Sequence, residues 1–307
     1  MNKVECFKIR IFALDRKPFQ NFEKAHFIHQ ILCDKWKLTS APLMIAADPF
    51  LFRYRNRLFL FYEQKHLYQP GRIAMISTEN LRNWTKPQIV LQEDFHLSYP
   101  YVFEDNGHIY MMPESCADKS IRLYEADDRN LICFSFKKKL LWENNDAEPA
   151  DISFSDSSVF YQDGIYYLNT TVAYGGVNQL RLFVSDSLLG NWREHPCSPI
   201  LNSSKYGRNA GCWLTNNHKL FRVAQDCENG YGNNVHVFQI DELSELTYKE
   251  HLIYESVYSP KTSFYKNGGH HLNIIQFNGK TIVATDAKEY HGYVVNRALH
   301  KLGRYGN

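Results

Sequence analysis

Five acidic side chains, Asp48, Glu63, Glu114, Asp156 and Asp286, stand at the ends of strongly apolar segments. A carboxylate there can do one of two jobs. It can accept turn N–H groups or pair with an arginine such as Arg208 or Arg222, the commoner role for any one strand-end carboxylate. Or it can join others as proton donor, base or nucleophile. Their spacing bears on the choice. Eight residues before the turn centres Asn56, Gly107, Gly164, His218 and Gly279 stand Asp48, Tyr99, Asp156, Ala210 and His271; seven residues after them stand Glu63, Glu114, Thr171, Gln225 and Asp286. Unrelated structural roles would not share one register, and carboxylates buried together are costly unless something pairs or uses them. The group therefore reads as a site.

The other residue types narrow the chemistry. His270 and His271 have no third ligand at a suitable spacing, so no metal is expected, and no motif calls for a cofactor. The seven cysteines are odd in number and include no Cys-x-x-Cys pair; Cys116 and Cys227, two residues beyond Glu114 and Gln225, read as inert thiols. Gly175–Gly176 lacks the strand-to-helix setting of a phosphate loop.

The elements that position these residues are repeats. ADPFLFRYRNRLFLFYE (47–63), SYPYVFEDNGHIYMMPE (98–114), SDSSVFYQDGIYYLNTT (155–171), NAGCWLTNNHKLFRVAQ (209–225) and HHLNIIQFNGKTIVATD (270–286) each read as two strands around a two-residue turn. The turns recur every 51–61 residues, which leaves space for further strands at 72–78, 120–126, 179–185 and 234–240. Four antiparallel strands per unit, five times over, predicts an all-β chain folded as a five-bladed β-propeller. The blade repeats start near 47, 98, 155, 209 and 270, within a single domain spanning 1–307. In such a ring the ten aligned positions meet at one mouth of the central channel. Trp84 and Trp192, after the third strands of units one and three, are expected to pack between blades. Residues 1–40 are expected to close or brace the ring, with 16–40 forming either a short helix or a strand.

Composition excludes other classes. A net charge of +2 on 307 residues gives no basic footprint for nucleic acid or an anionic membrane. The N-terminus, MNKVECFKIRIFALDRKP, alternates apolar and basic residues and reads as a strand, not a leader or a span; no later stretch is long and apolar enough for a membrane helix. With scattered cysteines, a reducing, cytoplasmic location is expected.

The phrases ADPFLF, HLSYPYVFEDNGHIYMMPES (96–115), SDSLLGNWREHP (185–196), the Arg208 segment, Ala224-Gln225-Asp226-Cys227 and HHLN (270–273) carry a family likeness. From about 40 to 290 the chain resembles the N-terminal propeller domain of the glucosamine inositolphosphorylceramide transferase family. More distantly it resembles the five-bladed glycoside hydrolase propellers that include arabinanases, xylosidases, invertases and mannoside phosphorylases. The resemblance implies a carbohydrate-active site at the funnel, serving glycosyl transfer or processing in glycoconjugate or surface-polysaccharide assembly. It equally admits a hydrolase or phosphorylase, or a glycan-binding accessory to a partner glycosyltransferase. In the hydrolases a blade-one Asp is base or nucleophile, a blade-three Asp orients and tunes, and a Glu leading into blade four is the general acid.

Asp48 and Asp156 match the first two; Gly207-Arg208-Asn209-Ala210-Gly211 puts an arginine, suited to a phosphate-bearing glycoconjugate, in place of the third. The expected catalytic set is therefore Asp48, Asp156, Glu114 and Glu63. The expected binding set is Tyr99, Tyr101, Arg208, Gln225, Asp226, His270, His271 and Asp286, with Trp213 and Tyr231 as further sugar platforms.

Overall fold

A computed structural model describes residues 3–14, 19, 25–34, 41–142 and 153–292. They form a five-bladed β-propeller of four antiparallel strands per blade. From the axis outward, blade one comprises Leu43–Tyr54, Arg57–His66, Arg72–Thr78 and Gln88–Leu91. Blade two comprises Ser98–Asp105, His108–Glu114, Ser120–Ala126 and Phe134–Trp142. In blade three, Phe154–Gln162, Ile165–Tyr174 and Val177–Ser185 are followed by an outer strand split into Arg193–Glu194 and Leu201–Asn202. In blade four the inner strand is the one split, into Arg208–Asn209 and Leu214–Asn216, before Lys219–Asp226, Asn234–Leu243 and Tyr248–Tyr254.

Blade five draws on both ends of the chain. Leu272–Phe277 and Lys280–Gly292 supply its inner strands, and Lys3–Leu14 and His26–Ile31 its outer ones. Lys3–Leu14 pairs with Lys280–Gly292 over twelve residues, from Lys3↔Gly292 to Leu14↔Thr281. Of the stretch expected to be a helix or a strand, 26–31 is a strand, while 16–18, 20–24 and 35–40 lie outside the described residues.

The turns explain why these segments pair as they do. Asn106–Gly107, Asp163–Gly164, Asn217–His218 and Asn278–Gly279 all carry positive φ at both positions, the backbone that a tight two-residue hairpin requires. Packing then follows from the two-residue side-chain period. On Arg57–His66, Phe59 and Phe61 point toward blade two, where they meet Val102, Ile109 and Met111. Leu58, Leu60 and Tyr62 point the other way, toward Ile9, Ile11, Ile282 and Ala284 of blade five. A blade buried on both faces must be apolar at every position, which is why the strand reads LFLFY. Equivalent cores join blades two and three, three and four, and four and five. Each fully buried Phe or Leu contributes about 1.5–3 kcal/mol. Trp84 stacks on His29 of blade five at 5.1 Å, and Trp192 packs on the core of blades two and three, both between blades as expected.

Candidate functional site

The three inner strands that lead into blades one, two and three share one irregularity. In blade one Ala47 pairs with Glu63 and the next partners are Phe50 and Phe61. In blade two Ser98 pairs with Glu114, then Tyr101 with Met112; in blade three Ser155 pairs with Thr171, then Ser158 with Asn169. Each is a bulge in which two residues face one, and the first of the two has left-handed φ: Asp48 at 50°, Tyr99 at 47° and Asp156 at 51°. Such a backbone costs on the order of 1 kcal/mol per residue and recurs where a side chain must be re-aimed. The sequence carried a signal for it in Pro49 and Pro100, because proline within an inner strand is tolerated at a bulge.

The re-aimed carboxyls join a buried ionic chain. Asp286 is fully buried; its Oδ1 accepts the N–H of His270 at 2.8 Å and of His271 at 3.1 Å, and its Oδ2 accepts the N–H of Asp48 at 3.2 Å. The same Oδ2 lies 2.6 Å from His270 Nδ1, while His270 Nε2 lies 3.6 Å from Asp48 Oδ1. Asp48 Oδ2 accepts the Tyr99 N–H at 3.1 Å. Burial lifts the Asp48 carboxyl to about 6, against the pull of His270 and with help from Asp286 and Glu114. Burial pushes His270 down, but Asp286 and then Asp48 outweigh it and raise the imidazole to about 9. His271, buried between Phe50 and Tyr99, is lowered to about 3 by burial and stays neutral.

Asp48, His270 and Asp286 have one ligand atom each within 4.8 Å of the others, the spacing of a cation site that sequence distance concealed. The His270 imidazolium puts one positive charge between the two carboxylates, and the trio is described as an ion-pair chain.

Blade three supplies the second half. Asp156 Oδ2 accepts from Arg208 Nε at 2.6 Å, and Arg208 also lies 3.7 Å from Glu114 Oε2. Burial drives the Asp156 carboxyl up and Arg208 opposes it. Asn209 fixes the seam between blades three and four by giving its N–H to Thr171 Oγ1 at 3.0 Å and its amide to the Asp156 carbonyl at 2.8 Å. Glu63, buried in blade one, is pushed well above the carboxyl range by burial and by Asp48. Gln225, paired with Arg208, has an enclosed Nε2 with no hydrogen-bond partner among the described residues. Tyr231 sets its ring 5.1 Å from both the Arg208 guanidinium and the His270 ring, and the residue remains 41% exposed.

Several of these residues stand in packing or pairing roles. Tyr101 gives its hydroxyl to the Val159 carbonyl at 2.7 Å and stacks on Phe103 at 5.0 Å, which places it in the seam between blades two and three. Tyr99 is 1% exposed, too enclosed for a sugar to stack on its face. Trp213 stacks on Phe160 and belongs to the core of blades three and four. Arg222 is spent on Glu250 at 2.6 and 2.8 Å inside blade four. Asp226 faces His236 at 3.5 Å and caps the Glu228 N–H, within its own blade. The Cys116 thiol donates to Glu114 at 3.3 Å and is raised to about 12 by burial and that carboxylate, as befits an inert thiol.

The funnel leaves a signature in stability. His270 titrates near 6.5 when unfolded and about 9 when folded, so its contribution is complete below pH 6.5 and is lost as pH rises through about 9. The unfolding free energy from urea denaturation is expected to fall across that window, by on the order of 3 kcal/mol at most. Asp48 adds no slope there, because its window lies between 3.8 and about 6. His270→Gln should flatten the decline; an unaltered slope would contradict the ion-pair chain.

Residues 27–287 match the family described as glucosamine inositolphosphorylceramide transferase 1, N-terminal. The chain belongs to that family. It is 34% identical over 228 residues to glucosamine inositolphosphorylceramide transferase 1 of Arabidopsis thaliana, covering 72% of this chain and 28% of that protein. The Oryza sativa subsp. japonica protein of the same name is 35% identical over 217 residues, covering 68% of this chain and 28% of its own length. The chain thus spans under a third of these members of the glucosamine inositolphosphorylceramide transferase family.

Among solved structures, an α-L-arabinofuranosidase from Clostridium thermocellum superposes with a TM-score of 0.55 at 17% identity, over 82% of this chain and 84% of that one. A family 117 glycoside hydrolase from Zobellia galactanivorans gives 0.55 at 12% identity, over 79% and 84%. These likenesses speak for the propeller fold alone.

Proposed function

We propose that this chain is a carbohydrate-active propeller that takes one sugar of a glycoconjugate into the funnel and acts on its glycosidic linkage, with Asp48 as base or nucleophile. One observation carries the reading: Asp48 and Asp156 sit on identical bulges, converge with Glu63 and Glu114, and hold a carboxyl, Asp48, lifted to about 6, where it exchanges protons near neutrality. Acidic oxygens suit a polyol, whose hydroxyls donate. Arg208 is already balanced by Asp156 and Glu114, so a phosphate on the glycoconjugate would meet it only where one of those carboxyls is protonated. Transfer to another hydroxyl, in glycoconjugate or surface-polysaccharide assembly, is favoured over hydrolysis by the names of the curated relatives. The scattered cysteines, with no Cys-x-x-Cys pair, are the basis for proposing a reducing compartment.

A second reading, a glycan-binding accessory to a partner glycosyltransferase, is favoured by Arg208 standing where the resemblance implies an acid, and by the short span of the relatives that the chain covers. Incubation with nucleotide sugars, aryl glycosides and oligosaccharides, followed by mass spectrometry, separates the two: conversion supports the first, and calorimetric binding without conversion selects the second. On either reading Tyr231→Ala should weaken binding of the glycan about tenfold, since this part-exposed residue is the sugar platform at the mouth. An unchanged Kd would remove Tyr231 from the site.

A further inference from the structure

Glu63 stands in the last half of the second strand of blade one, Arg57–His66, with its Oε1 enclosed and without a hydrogen-bond partner among the described residues. His96, from the connection leading to blade two, places Nε2 3.4 Å from that oxygen. The Gly71 N–H donates to His96 Nδ1 at 2.9 Å, which makes Nδ1 the acceptor nitrogen and puts the ring hydrogen on Nε2, facing Glu63. The Leu97 N–H closes the clip on the Gly71 carbonyl at 3.0 Å. Only glycine fits there: a Cβ on Gly71 would meet the Leu97 carbonyl oxygen at 2.5 Å, His96 Cε1 at 2.6 Å and Glu63 Oε1 at 2.8 Å. A buried acid, a histidine of fixed tautomer and a backbone with no space for a side chain form one built unit beside the funnel.

We propose that Glu63 is the proton donor of the funnel, filling the role for which the chain has no carboxylate at the start of blade four, and that His96, locked by Gly71, is its positioning residue. This rests on the catalytic reading above. With His96 Nε2 on the side of Oε1, 3.4 Å away, the carboxyl proton is assigned to Oε2 in this proposal. That proton passes to the leaving oxygen as the glycosidic C–O bond breaks and its electron pair goes to that oxygen. An acceptor hydroxyl or water bonds to the anomeric carbon and yields its proton to Asp48. Asp48 then releases this proton to solvent and Glu63 takes one up, so charge and protons balance over the cycle. At 3.4 Å the Nε2–H is longer than a good hydrogen bond, poised to tighten on the carboxylate that forms when Glu63 gives up its proton. The groups facing Glu63 sort by sign: burial, Asp48 and Glu114 hold the proton on, while Lys65 and His270 pull the other way.

Isotope-edited infrared difference spectra of wild type minus Glu63→Gln test the protonation state without any assay of turnover. The expected result at neutral pH is the carbonyl band of a protonated carboxyl in the wild type. Its absence would overturn the proposal. His96→Asn keeps an oxygen where Nδ1 accepts from Gly71, so a merely structural clip survives, but nothing then reaches Glu63. In that variant the Glu63 band should persist to higher pH and kcat should fall about tenfold or more; an unmoved titration would overturn the part given to His96. On substrates with alkyl leaving groups Glu63→Gln should lose roughly 10²–10⁴-fold in kcat, and far less on nitrophenyl glycosides, which leave without protonation. Equal losses on both would exclude Glu63 as the donor. If the wild type converts no glycoside at all, the catalytic reading fails by itself, and the infrared band still decides the state of Glu63.

Discussion

Asp48→Asn is expected to lower kcat by roughly 10²–10⁴-fold on any substrate that the wild type converts, with the fold retained. The asparagine oxygen can still accept the Tyr99 N–H that Asp48 Oδ2 accepts at 3.1 Å, and the amide hydrogens can turn to the neutral His271 Nδ1, 3.6 Å from Oδ1. What disappears is the negative charge and the capacity to take a proton. The pH profile carries the same signature. Asp48 works ionised, so wild-type activity should rise as pH increases through about 6; it should fall again at alkaline pH, as Glu63 gives up the proton it donates and as His270, near 9, loses the proton that holds Asp48 and Asp286 together. These limbs belong to the coupled chain as a whole. The variant should lose the acid limb, and a variant with wild-type turnover would exclude Asp48 as the reacting group.

Asp286→Ala is expected to cost about 3–5 kcal/mol of folding stability, measured by urea denaturation, the range for removing one partner of a buried ion pair. Three backbone N–H groups, those of Asp48, His270 and His271, lose their acceptor, and the His270 imidazolium loses its nearer carboxylate in a site sealed from solvent. Asp286→Asn restores an acceptor but no charge, so it should fall between alanine and wild type. A loss below about 1 kcal/mol for the alanine variant would mean that the chain from blade five to Asp48 is not what orders the mouth.

The repeat register was legible because turn chemistry is local. Asn-Gly and Asp-Gly pairs mark three of the five hairpins and asparagine-bearing turns the other two, and counting from them brings Asp48, Glu63, Glu114 and Asp156 into one register. The bulges were not read, although Pro49 and Pro100 marked two of them, because counting along the chain assumes an unbroken ladder. Aromatic residues were hardest to sort. Tyr101 and Trp213 lie near the mouth in sequence yet turn into seams between blades, whereas Tyr231, on a connection, stays part exposed. The partner of Lys3–Leu14 lies at the far end of the chain, so no local pattern named it. His96 escaped for a related reason: it sits on a connection between blades, where alignment of the repeats has no equivalent position, and Gly71 carried the only local hint.

The most direct measurement is a crystal structure of the Asp48→Asn chain with an oligosaccharide that it binds but no longer converts. A sugar ring against Tyr231, with its glycosidic oxygen within hydrogen-bond reach of Glu63 and its anomeric carbon facing residue 48, is the predicted result. A sugar bound on the outer face of a blade, with the funnel empty, would contradict it.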